Sequence, residues 1–333
     1  MTLTDVASLA QVDRSVVSRV LSGDPRLNVR EETRDRVRRA IEQLGYRPDP
    51  IARSLRTRRA EAFGLLIPDF SNPVYASIIK GAEAAAVRRG CVLMTGSLAG
   101  AGYEPRQYVD VLGRGRVDGV LLAGADATGE LVDQLQRLEV PWLLLNRRLP
   151  GAHRHVTLDD ERAATLAVGH LVELGHRRVA HLAGPPEADT AQRRRAGYER
   201  AVRAAGLQVR DDLLVATDYT STGGAAGMAE LMALDPPPTA VFVANVAAAV
   251  GALYAARRAG RSVPEDVSVV AVHDLPLAAY LEPPLTTVRM PVEELGARAL
   301  ELLATTPPES DIAEVIAGPM ELVMRGSTAP LPA

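Results

Sequence analysis

Arg14, Ser15, Ser18 and Arg19 are the polar residues of the stretch Arg14-Ser15-Val16-Val17-Ser18-Arg19-Val20-Leu21. On one helical face they would offer guanidinium and hydroxyl donors to base edges and phosphates. A guanidinium fork matches the paired acceptors of guanine in the major groove. Presenting them requires a helix. Asp13 can cap it by accepting from its free amides, with Val17, Val20 and Leu21 turned inward. Upstream, Thr2 and Asp5 have capping-box spacing, with Asp in place of the usual Glu or Gln. Val6, Leu9 and Ala10 would share the buried face of that first helix. Gln11-Val12-Asp13 is left as a turn. Two short helices so spaced suit groove insertion, and an ordinary amphipathic pair in a small bundle is the alternative.

Three features favour insertion. Residues 1–59 hold 13 Arg and 8 acidic residues, a net of +5, while the whole chain is −3, leaving −8 on the rest. A basic end on an acidic body points to a polyanion partner at that end. Lys80 is the only lysine, which reads as a general bias toward Arg rather than selection for phosphate contacts. A third helix is expected near Glu31 to Leu44. Val37, Ile41 and Leu44 recur at helical spacing there, and Gly45 stands at the C-terminal cap. In Tyr46-Arg47-Pro48-Asp49-Pro50-Ile51-Ala52-Arg53-Ser54-Leu55-Arg56, Asp49 can cap and Pro50 fits the first helical position. A helix of about two turns is marginal alone and needs a partner copy or DNA.

These residues resemble the lac repressor family of bacterial transcription regulators. The likeness lies in Asp5-Val6-Ala7, Val17-Ser18-Arg19-Val20-Leu21, Thr33-Arg34, Leu44-Gly45-Tyr46-Arg47-Pro48 and Ala52-Arg53-Ser54-Leu55. It extends to Leu174-Gly175-His176-Arg177-Arg178-Val179, Val263-Pro264-Glu265-Asp266-Val267 and Pro284-Leu285-Thr286-Thr287-Val288-Arg289. The resemblance implies that Arg14 and Ser15 read bases and that Leu55 wedges into the minor groove and kinks the duplex. The candidate DNA contacts are Thr4, Arg14, Ser15, Val16, Ser18, Arg19, Asn28, Thr33, Ala52, Arg53 and Leu55. Asp13 and Arg30 stand where the family usually has Ser. Asp13 can cap but cannot donate to a phosphate. Arg30 removes the usual cap of the third helix, for which Asn28 is a substitute from upstream.

Beyond residue 59, apolar runs alternate with helical patterns. Strands are expected at Ala62–Pro68, Cys91–Thr95, Val117–Leu122, Pro141–Leu145, Arg178–Leu182, Leu213–Ala216, Ala240–Ala244 and Val267–Val272. Helices are expected at Val74–Gly90, Arg106–Gly113, Glu130–Leu138, Glu161–Leu174, Gln192–Ala205, Gly223–Leu234 and Ala247–Ala259. Such alternation predicts an α/β fold with parallel sheets buried on both faces. Two blocks in tandem suggest two lobes with a ligand cleft at the carboxyl ends of the strands. The resemblance implies a periplasmic-binding-protein-like core, with the chain crossing between lobes near 155–160, 284–290 and 316–321. The expected division is a helix-turn-helix head over 1–48, a hinge helix and linker over 49–60, and a two-lobed core over 61–328. Ala329 to Ala333 is Pro-rich and unpatterned, and both ends are expected to be flexible.

Cys91 is the only cysteine, so no intrachain disulfide or Cys-based zinc site can form, and it is expected as a small buried hydrophobe on a strand. No signal-like segment precedes the first helix and no apolar run approaches about 18 residues. A soluble, cytoplasmic protein without membrane partners is expected.

The candidate effector contacts are Asp69, Asn72, Tyr75, Arg147, Thr190, Arg194, Tyr219, Asn245 and His273. Ser71-Asn72-Pro73 is good turn chemistry, from which Asp69 and Tyr75 could reach a cleft. The resemblance implies the rest: Arg194 as an effector-binding arginine, Tyr219 as a cleft aromatic, Arg147 as a common family arginine and Asn245 as the cleft asparagine. Arg193 and Arg195 flank Arg194, and a solvated charge run is the plainer alternative. Tyr219 is equally readable as a surface turn residue. Val246 and His273 replace two expected acids. Two lost acids and two kept guanidinium groups predict a more positive cleft, offset by Asp69 and Asp159, with His273 adding a donor when protonated. The expected effector is therefore an anionic sugar acid or sugar phosphate; a cleft with altered or lost ligand response is the rival.

His153 and His155 lie two apart near Asp159, but lack a third ligand at metal spacing. No nucleophile elbow, Walker A loop, dinucleotide fingerprint or metal motif is present, so neither catalytic residues nor cofactors are expected. A solute-binding protein would explain two lobes but not the N-terminal helices. A homodimer, or a higher oligomer, on a near-palindromic operator under effector control is the resulting expectation.

Overall fold

The computed structural model describes residues 1–22, 24, 26–46, 59–98, 115–123 and 140–331, with isolated positions 112, 133, 136 and 137. The expected hinge helix, with Ala52, Arg53 and Leu55, and the expected helices over 106–113 and 130–138 lie outside the described residues or are touched only at those isolated positions. The chain divides into two compact units, Met1–Ala60 and Glu61–Ala333.

The first unit holds α1 (Leu3–Ala10), α2 (Arg14–Leu21) and α3 (Glu31–Leu44). Thr2 and Asp5 form the capping box reciprocally, and the Asp13 side chain accepts from the Ser15 amide at 2.7 Å. Val6, Ala7, Ala10, Val17, Val37 and Ala40 make the core, with Val20, Leu21, Ile41 and Leu44 packed at its edge. Leu9 corrects the expected face of α1: it is 44% exposed, and Ala7 takes the inward position. No side chain caps α3 at Arg30, so Asn28 does not substitute. Gly45 closes α3 at φ 56°, a left-handed turn that glycine adopts without strain.

The second unit is built on two six-stranded sheets. One contains β1 (Ala62–Ile67), β2 (Val92–Ser97), β3 (Val120–Leu122), β4 (Trp142–Leu145), β5 (Arg154–Leu158) and β11 (Ile312–Ile316), in the order β11-β5-β4-β3-β1-β2. The other contains β6 (Val179–Ala183), β7 (Leu214–Ala216), β8 (Ala240–Val243), β9 (Ser268–Val272), β10 (Thr286–Arg289) and β12 (Glu321–Val323), in the order β12-β10-β9-β8-β6-β7. All pairings are parallel except β10 with β12.

Period-two alternation explains why the strands read as unbroken apolar runs. On β8, Ala240 and Phe242 enter one core cluster and Val241 and Val243 the other, so both faces are dry. Helices α5 (Asp160–Glu173) and α6 (Asp189–Ala204) cover one face of this sheet. Helices α7 (Ser221–Met232) and α8 (Val246–Arg258) cover the other. In the first sheet α4 (Val74–Arg88) packs on β1 and β2, and α9 (Val292–Thr305) on β3, β4, β5 and β11. The chain passes between lobes three times: from β5 into α5, from β10 into α9, and from β11 into β12.

Two expectations about small features are overturned. The C-terminal stretch is pinned rather than flexible as far as Leu331. The Ala329 amide donates to Ser268 Oγ at 3.0 Å, the His176 ring meets the Ala329 carbonyl at 3.0 Å, and the Leu331 amide donates to the Leu174 carbonyl at 2.9 Å. Cys91 precedes β2 and is half-buried, since the strand begins one residue later than its apolar run.

Candidate functional site

The head presents one polar helix face. Arg14 and Ser15 are exposed at the start of α2, and Val16 and Ser18 are half-buried along it. Arg19 Nε donates to Asp24 at 2.9 Å, which fixes its guanidinium beside the end of the helix. Thr4 is exposed in the first turn of α1, Asn28 is exposed in the connection, and Thr33 is half-buried in the first turn of α3. A positive face whose Arg lies at the helix start can bring donors to the floor of a groove.

In the core, the carboxyl ends of the parallel strands of both lobes converge on one cavity of about 250 Å³. Loops after β1, β4, β7, β8 and β9, together with α6, carry its polar lining. All nine sequence-selected candidates line it: Asp69, Asn72, Tyr75, Arg147, Thr190, Arg194, Tyr219, Asn245 and His273. Pattern reading missed Asn146, Asp218, Thr220 and Ser221, which share the lining. Asn146 and Asp218 each stand just past an apolar strand, the signal that would have found them.

Arg194 is buried, and each of its nitrogens has an acceptor. It donates to Asp160 Oδ1 at 2.7 Å, to the Ala244 carbonyl at 2.6 Å and to His273 Nε2 at 3.3 Å. Its Cζ lies 5.9 Å from the centre of the Tyr219 ring, a cation–π stack. Burial works against the Asp160 charge, but Arg194 and then Arg193 outweigh it and hold the carboxyl below the usual range. The countercharge is thus Asp160, not Asp159. Asp159 instead caps α5 by accepting from the Arg162 amide. The solvated charge run does not describe Arg193, which bonds Asp160, Asp189 and the carbonyls of Leu158 and Asn146. Arg195 does sit outside, paired with Glu199 at 2.8 Å.

Asn245 uses both ends of its amide: Oδ1 caps α8 at the Ala248 amide and Nδ2 donates to the Tyr219 carbonyl. The Tyr219 hydroxyl pairs with Thr190 at 3.0 Å, so Tyr219 is a cleft residue rather than a surface turn. Gly184 lets that ring lie on the chain, since a Cβ there would collide with it. Val246 is buried inside the C-terminal lobe, between the lining residues Asn245 and Ala247, and does not itself line the cavity. Burial first, then Arg194, drives His273 down to about 3, so the ring is neutral rather than the cationic donor expected. Burial raises Tyr75 to about 12, keeping its hydroxyl protonated. Arg147 is 5% exposed, and its Nε has no hydrogen-bond partner.

Among the described residues no cluster of three His, Cys, Asp or Glu is arranged to hold a metal, and no helix is long and apolar enough to cross a membrane.

A three-helix head with a basic groove-reading face, joined in one chain to two lobes around a ligand-sized cleft, defines a ligand-responsive DNA-binding regulator. Residues 2–49 match the family described as bacterial regulatory proteins, lacI family, and residues 168–328 match the periplasmic binding protein-like domain. The HTH-type transcriptional repressor CytR of Escherichia coli (strain K12) is 33% identical, over 99% of this chain and 97% of its own length. A solved transcriptional regulator CelR–cellobiose complex is 33% identical, covers 98% of this chain and 99% of its own, and has a TM-score of 0.75. The lac repressor dimer bound to operator and the anti-inducer ONPF is 26% identical over 99% of both chains, with a TM-score of 0.85. The chain belongs to the lacI family of bacterial regulatory proteins. It is a DNA-binding transcription regulator under effector control.

Proposed function

We propose that this regulator is a cytoplasmic homodimeric repressor, without catalytic activity, that binds a near-palindromic operator. Residues 1–48 read the DNA, 49–60 form the hinge and 61–328 bind the effector and dimerise. The observation that carries the reading is the convergence of strand ends from both lobes on a single cavity lined by Arg147, Arg194 and His273. A ligand there touches both lobes at once and biases their relative position, which is what coupling to DNA requires. Relatives solved with cellobiose or ribose support a sugar or sugar derivative as the effector. Two-fold protein symmetry requires two related half-sites.

The test begins with gel retention of DNA by the full chain and by a chain lacking residues 1–59. Selection of bound sequences from a random pool follows, and then a sugar screen on the selected complex. The full chain should select a near-palindrome and lose it on truncation, and one class of sugar should alter retention. Equal retention by the truncated chain would return the protein to the solute-binding class.

A further inference from the structure

Two buried donors on the cleft have nothing to donate to. Arg147 closes β4 in one lobe and His273 closes β9 in the other, at 5% and 4% exposure. Arg147 Nε and His273 Nδ1 are both without a partner. Their neighbours are not so placed. Arg194, Asn245, Thr190 and Tyr219 are committed to one another, to Asp160 or to backbone groups. Because Arg194 donates to His273 Nε2, the ring proton sits on Nδ1, so this lining residue holds an unpartnered donor where a carboxylate would hold acceptors. No carboxylate among the described residues pairs with Arg147. A buried cation without a counter-ion is held at a cost in free energy that an incoming anion removes. The remaining charges on the lining are Asp69 and Asp218. Each has one oxygen occupied by its own turn, at Ser71 and Thr220, and the other left to accept from hydroxyls.

We propose that Arg147 and His273 form a donor pair that selects an oxyanion, carboxylate or phosphate, on a hydroxyl-bearing, sugar-sized effector. The inference rests on the reading of the cleft as an effector site. Charge-assisted bonds to an oxyanion satisfy both orphan donors, while a hydroxyl satisfies them only weakly. Asp69 and Asp218 suit the hydroxyl-bearing body of the same molecule.

The test is calorimetry on the full chain with matched triplets: glucose, gluconate and glucose 6-phosphate; galactose, galactonate and galactose 6-phosphate; ribose, ribonate and ribose 5-phosphate. In at least one triplet an oxyanion member should bind ten-fold or more tightly over its neutral counterpart, and the better member tells carboxylate from phosphate. Arg147→Met should abolish that ratio while leaving the ligand-free melting temperature unchanged or raised, since no partner is lost. Arg147→Lys should restore part of the ratio. His273→Asp should weaken the oxyanion at least ten-fold. A neutral sugar binding as well as its oxyanion counterparts, or a ratio unchanged in Arg147→Met, overturns the donor pair and leaves the effector reading standing. No binding by any member of any triplet overturns the donor pair and the sugar-effector reading together.

Discussion

Arg14 stands at the exposed start of α2 with its guanidinium uncommitted among the described residues, whereas Arg19 is tied to Asp24. Arg14→Ala should therefore cost about 1–3 kcal/mol on the selected operator and relax preference at one base position, measured by competition binding across single-base variants. An equal loss on every sequence would make Arg14 a phosphate contact only. Buried histidines set a second expectation. His181, stacked between Tyr198 and Phe242, is driven down to about 4 by burial against its bond to the Phe242 carbonyl, and His273 lies lower still. The unfolded chain takes up these protons near the ordinary 6.5, so the stability they contribute is whole above that value and drains away as pH falls toward 4. By pH 5 the loss is about 2 kcal/mol for each ring, a drop that urea unfolding at pH 7.5 and 5 would register and His181→Phe would lessen. Asp69, Asn72 and Tyr75 were legible from the turn that follows an apolar strand, whereas Arg147, Arg194, Tyr219, Asn245 and His273 were legible through the family resemblance. Their electrical balance was not. Asp159 and Asp160 are adjacent in sequence, and only the packing of α6 against α5 shows which carboxylate faces Arg194.

The helices of the core approach one another at glycines. A Cβ at Gly81 in α4 would strike the Glu293 carbonyl of α9, and one at Gly296 in α9 would strike the Ile78 carbonyl of α4. Gly224 and Gly251 do the same for α7 and α8, against the Ala248 and Ser221 carbonyls. These obstacles are backbone atoms that cannot swing aside, so Gly81→Ala or Gly251→Ala should destabilise by roughly 2–3 kcal/mol or more. Gly169→Ala, where a Cβ meets open space, should be neutral or stabilising. Equal thermal midpoints for Gly81→Ala and Gly169→Ala would contradict the close approach. Most strands and helices were legible from periodicity and caps to within a few residues. Strands β5, β10, β11 and β12 and helix α9 were not read as elements. Arg154-His155-Val156-Thr157-Leu158 opens on a charge and carries polar residues, and Ile312-Ala313-Glu314-Val315-Ile316 has a charge in mid-strand, so neither forms an apolar run. Arg154 donates from Nε to the Trp142 carbonyl and from a terminal nitrogen to the Pro307 carbonyl, contacts distant in sequence, while its other terminal nitrogen is buried without a partner.

The lobes are latched beside the cleft. Asp189 at the head of α6 accepts from the Arg148 amide at 3.1 Å and from Arg193 Nε at 3.0 Å, while Arg193 also reaches the Asn146 carbonyl of the other lobe. Arg147 lies between these two anchors. Asp189→Ala should loosen the latch, and amide exchange at Arg148 should accelerate while the head keeps its protection. Unchanged exchange there would remove the latch. Light scattering and footprinting should find a dimer protecting two related half-sites; a monomer on one asymmetric half-site would refute that arrangement.

The three crossings also dictate the order in which the molecule can be completed at the ribosome. The lobe that is begun first has its strands β1 to β5 in hand by Leu158, yet its edge strand β11 and covering helix α9 are encoded only at 292–316, after nearly all of the other lobe. Through that interval β5 has no outer neighbour and α4 has no partner for its glycine face, a state open to strand pairing with other nascent chains. The second lobe, finished by β12 and the tail to Leu331, closes last. A message cut anywhere between codons 160 and 290 therefore yields no finished lobe at all.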